Sequence, residues 1–189
     1  MQLKKRNYYH FSVVNPSTDP LFAASAEYNL FIQLLQGSFL SMADVLSYCI
    51  LPDQFDCVLR VNDFGAQLKF DHQAGVQSAL ISELLLILKN YGEQTKRRKT
   101  AITKLTKQLK ITTLPENARF QVILIDTCLQ LHELPIQKGL VSNAEDWMYS
   151  SHNEYAEVSK VPICSKSLFY LLTELSPMHF KPVPVLRAC

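Results

Sequence analysis

The 189-residue chain lacks an apolar run near the ~20 residues that a bilayer-spanning helix needs, so a membrane-spanning role is not expected. Its first residues, MQLKKRNYYHF, are basic but pass directly into aromatic and β-branched residues, without the apolar core of a secretory signal. Export is therefore not expected. Cysteine pairing is also missing. The five thiols (Cys49, Cys57, Cys128, Cys164 and Cys189) are odd in number, widely spaced, without a CxxC pair or a histidine at zinc spacing. They read as reduced thiols of a cytoplasmic protein. There is no internal repeat or low-complexity tract. A formal net charge of only +2 excludes the strongly basic body of a nonspecific DNA-coating protein.

What is present fits one domain. The hydrophobic fraction of 48% against 19% charged residues is ordinary for a globular protein with a sizeable core. Charge is uneven along the chain. Lys96, Arg97, Arg98, Lys99, Lys104, Lys107 and Lys110 fall within one short segment that contains no acid. Such a run is either a solvated face or a contact for a polyanion.

Tyr8 to Val14 is aromatic and β-branched and ends at Asn15-Pro16, which predicts a strand closed by a turn. Apolar residues at helical spacing (Tyr28, Phe31, Ile32, Leu35, Phe39) predict a helix over 25–40. Val45 to Leu51 and Phe55 to Val61 are predicted strands joined at Pro52-Asp53, with Gln54 and Asp56 on one face and Phe55, Cys57 and Leu59 on the other. A second helix is expected over 76–91, capped at Gly92, and a fourth strand over 109–113. A long helix should begin at Pro115-Glu116 and stop at Pro135. The order β-α-β-β-α-β-α predicts an α+β sandwich, a ferredoxin-like antiparallel sheet with helices on one face. Residues beyond Val141 read as short helical or irregular pieces, and the run with Pro177, Pro182 and Pro184 as an extended tail.

Tyr9-His10-Phe11, followed by Phe22, Tyr28, Phe31, Leu34 and Leu35, resembles the early YHV or YHF strand and the first helix of the single-tyrosine HUH transposases, in particular the REP-associated tyrosine transposases. YCILPDQFDCVLRV resembles the hairpin Y.LMPNHVHLLL, and QLHELPIQKGLVSNAEDWMYSSHNEY, from Gln130 to Tyr155, resembles YIHLNPVKAGLV followed by W.WSSY..Y. His132, Pro135, Gly139-Leu140-Val141, Trp147, Ser150-Ser151 and Tyr155 fall at matching spacing. The resemblance implies an HUH endonuclease-like domain over 1–155, with a C-terminal extension over 156–189.

The departures fall on the chemistry. The family's two metal-holding histidines correspond to Gln54 and Asp56, its nucleophilic tyrosine to Gln130, and a polar residue one turn later to Leu134. A carboxamide is a weak ligand beside imidazole and cannot form a phosphotyrosine bond. The resemblance therefore implies a catalytically inactive relative with no catalytic residue, metal or cofactor. It would bind single-stranded or hairpin nucleic acid through Lys96, Arg97, Arg98, Lys99, Lys104, Lys107 and Lys110. Two other readings stand beside it: a non-enzymatic protein-interaction subunit of a larger complex, with another protein or a second copy as partner, and an enzyme whose altered metal site is built on Asp56. Tyr91 is considered as a substitute nucleophile, Cys128 with His132 as a thiol-imidazole pair, and Tyr8, Tyr9 and Phe11 as base-stacking residues. The competing expectation is an aromatic anchor at a helix end for Tyr91 and core packing for the others.

Overall fold

The computed structural model describes residues 8–38, 43–61, 73–95, 103–104, 107–114, 119–156 and 163–165. Strand β1 (Tyr8–Val14) leads to helix α1 (Ser25–Ser38), then to the hairpin of β2 (Ala43–Leu51) and β3 (Gln54–Val61). Helix α2 (Gln73–Gln94), strand β4 (Leu109–Leu114) and helix α3 (Phe120–Gln137) follow, and a short helix α4 (His152–Tyr155) comes last. The four strands form one sheet in the order β2-β3-β1-β4, with every neighbouring pair antiparallel. This is the expected α+β, ferredoxin-like arrangement. No helix among the described residues is long and apolar enough to cross a membrane.

Side-chain alternation assigns the two faces of the sheet. Tyr9, Phe11 and Val13 share a face with Leu59, Cys57 and Phe55, their partners in register. Phe31 of α1 meets Phe55 edge-on at 5.0 Å, and Tyr91 of α2 meets Phe31 at 5.5 Å, so α1 and α2 cover this face. The opposite face carries Tyr8, His10, Ser12, Gln54, Asp56 and Val58. The layering is fuller than helices on one face alone, because α3 lies across this second side. Tyr8 meets Phe120, at one end of α3, with ring centroids 4.3 Å apart and planes tilted by 47°, and Ser47 of β2 bonds His132 in the second half of the helix. The cause is the sheet's own composition, since Tyr8, Cys49, Val58 and Leu51 make this face apolar enough to need cover.

Two helix ends differ from expectation. Gly92 does not cap α2, which runs to Gln94 with Gly92 buried inside it. Pro135 does not stop α3 but lies within it, and the helix ends two residues later. There the chain turns on Gly139 at φ +68, with Leu140 N–H donating to Pro135 O (2.9 Å) and Gly139 N–H to Ile136 O (2.9 Å), a Schellman termination. Residues 115–118, on which the expected helix start falls, lie outside the described residues.

The outer edge of β2 is closed by the segment after α3. Ile50 N–H donates to Tyr149 O (2.9 Å), Ser151 N–H to Tyr48 O (2.9 Å) and Trp147 Nε1–H to Ile50 O (2.9 Å), while the Tyr155 hydroxyl donates to Leu46 O. Ser165 N–H, from the expected C-terminal extension, donates to Val45 O (2.8 Å). An edge strand left open would offer its backbone to other chains; here it is occupied.

Candidate functional site

Three elements bring the chemistry together. On the α3 side of the sheet, β1 contributes His10 and Ser12, and β3 contributes Gln54 and Asp56. Helix α3 contributes Gln130, Glu133 and Gln137, spaced i, i+3 and i+7 and hence on one helical face, with Leu131 and Leu134 beside them. These nine residues line an open cleft of about 510 Å³. The four positions picked out by sequence, Gln54, Asp56, Gln130 and Leu134, are thus neighbours in space.

Asp56 is the centre of this cleft. It is only 3% exposed, and a carboxylate so buried needs hydrogen-bond partners. His10 Nε2 lies 3.1 Å from its Oδ1, and Gln54 Nε2 donates to its Oδ2 at 2.6 Å. A carboxylate only accepts, so the imidazole presents Nε2–H and its tautomer is set. The turn that carries the hairpin is tied to the end of α3 by Lys138 Nζ to Asp53 Oδ2 at 3.1 Å, an exposed pair. None of the nine lining residues is Lys or Arg.

Sequence reasoning passed over His10, Ser12, Glu133 and Gln137 as site residues. The signal for the first two was the period of β1, which puts them on the face opposite Tyr9 and Phe11. For the other two it was the helical spacing from Gln130.

The basic residues are less gathered. Lys104, Lys107 and Lys110 are exposed. Lys110 is the register partner of Ser12, which places it on the cleft side of the sheet, one strand outward. Lys96, Arg97, Arg98 and Lys99 lie outside the described residues.

The rival candidates resolve into the core. Tyr91 is fully buried between Phe22 and Phe31 on the opposite face, and its hydroxyl donates to Leu21 O at 2.6 Å. Tyr8, Tyr9 and Phe11 are buried too, so they pack the sheet. Cys128 and His132 are equally enclosed. Burial pushes the Cys128 thiol up to about 12, with a hydrogen bond from Ser47 opposing the shift, and lowers His132 to about 3, with His152 adding to the effect. His132 Nε2 is 2.7 Å from Ser151 Oγ and 3.3 Å from Ser47 Oγ, and Ser151 Oγ also accepts Tyr48 N–H at 3.0 Å. This serine-histidine group fastens α3 to the edge of β2. Cys49, Cys57 and Cys164 are likewise buried and free.

No family model and no curated protein matches the chain. Among solved structures the chain is similar to a REP-associated tyrosine transposase bound to a REP hairpin, with a TM-score of 0.59 and 12% identity over 83% of each chain. At that identity the likeness shows a shared fold.

Proposed function

We propose that this protein is a transposase-derived, catalytically inactive nucleic-acid-binding protein that holds single-stranded or hairpin nucleic acid. One observation carries this reading: the positions where the resembled family keeps its metal ligands and nucleophile come together here in a single cleft, with other chemistry in place. The similar fold that carries a REP hairpin supports the choice of ligand class.

The histidine pair that holds the metal in the resembled family is replaced here by Gln54 and Asp56. Gln54 offers a weak neutral carboxamide, and its N–H is turned onto Asp56. His10 Nε2 lies 3.1 Å from the same carboxylate, and it is the one imidazole among the lining residues. Gln130 has no hydroxyl for attack on phosphorus. Tyr91, the substitute considered, is on the far side of the sheet. Phosphates would instead meet the exposed lysines of the basic segment, of which Lys110 is nearest the cleft in register.

The test is one incubation of protein, labelled hairpin oligonucleotide and magnesium or manganese, run on native and denaturing gels. The expected result is a shifted band on the native gel and no covalent adduct on the denaturing one. A denaturant-resistant band would overturn the inactive reading, and the absence of any native complex at low salt would overturn the binding reading.

A further inference from the structure

The charge of the cleft argues against a phosphate as its occupant. Its ionisable side chains besides histidine are Asp56 and Glu133, both acids, and a phosphodiester would face them without a cation among the lining residues. What the cleft offers is hydrogen-bonding edges. Gln54, Gln130 and Gln137 each set a donor beside an acceptor, the pattern that pairs with the edge of a base. Carboxylates accept from exocyclic amino groups. Asp56 is already aimed, because Gln54 and His10 hold one oxygen each, at 2.6 and 3.1 Å, and every carboxylate oxygen has a second lone pair. Leu134 supplies apolar contact for a ring face. The volume, about 510 Å³, is within the range of small-ligand clefts.

We propose that the cleft between β1, β3 and α3 seats one unpaired nucleobase bearing an exocyclic amino group. Adenine, cytosine and guanine offer amino hydrogens to Asp56 and Glu133. Thymine and uracil have no amino group, and their one donor, N3–H, is flanked by carbonyl oxygens that set acceptor against acceptor. The biological ligand rests on the nucleic-acid reading above, with the backbone kept outside the cleft on the side of Lys110. The site would thus select which base of a loop or single strand is taken in.

Uncharged nucleosides test the cleft apart from any phosphate contact. Deoxycytidine, deoxyadenosine and thymidine are titrated into the full chain at millimolar concentration, reading the side-chain amide signals of Gln54, Gln130 and Gln137 by NMR. The expected result is saturable shifts with deoxycytidine and deoxyadenosine binding about tenfold more tightly than thymidine. Glu133→Gln, an exposed change that spares the fold, and Asp56→Asn should each reduce that selectivity. Thymidine binding as tightly as the others, no shift with any nucleoside, or selectivity unchanged in Glu133→Gln overturns the proposal. If the amides do not respond while a hairpin still binds, the base pocket fails alone. If nucleoside selectivity persists while no oligonucleotide binds, the pocket stands and the phosphate reading fails.

Discussion

His10 and His132 carry the same side chain into opposite environments. His10 lies at the cleft with its side chain 27% exposed, beside a buried carboxylate that fixes its tautomer. His132 is buried among Ser47, Ser151 and the ring of His152, where burial lowers its pKa from 6.5 to about 3. The sign follows from linkage. The unfolded chain takes up the proton near pH 6.5 and the folded chain does not until about pH 3, so stability is full above pH 6.5 and falls as pH drops through that window. The limiting slope from this one group is about 1.4 kcal/mol per pH unit. Denaturant unfolding of the parent between pH 7 and pH 5 should show that loss, and His132→Gln should flatten it; an equal slope in both would contradict the assignment. The pairing of Gln54 with Asp56 on one strand face was legible from a period of two. That His10 closes on the same carboxylate was not, because it sits on another strand, and register between strands is a tertiary property.

At the scale of elements, the turn after α3 sets where the edge-closing segment begins. Gly139 has φ +68, and an added Cβ there would find no atom within 4 Å, so the cost of a side chain is conformational alone. Gly139→Ala should therefore lower stability by about 1 kcal/mol, seen as a reduced denaturation midpoint with the same m-value. An unchanged midpoint would mean that the turn is not held in the left-handed region. Most elements were legible from apolar period and turn residues, and the motif from Trp147 to Tyr155 proved to be the strap over β2. Pro135 misled because proline was taken as a stop signal. In α3 it lies in the last turn and accepts Leu140 N–H through its carbonyl, so the helix passes through it. Gly92 misled for a related reason, since the packing of α2 on α1 outweighs the ~1 kcal/mol that an interior glycine costs a helix.

Taken as a whole, the molecule keeps lysine and arginine out of the lining of the cleft. The cleft is acidic and rich in amides, whereas Lys110 lies one strand out from Ser12. Only the three-dimensional pairing of β4 with β1 reveals that division. If phosphates are held by the basic segment, affinity must weaken with salt through counterion release. The most direct measurement is therefore the fluorescence anisotropy of a labelled DNA hairpin with a single-stranded flank, titrated with protein over a range of salt concentrations. Binding is expected at low salt, with a slope of log K against log salt of about −3 or steeper, which Lys104, Lys107 and Lys110 changed together to Ala should lessen by about 2. No binding at low salt, or a slope near zero, would contradict it.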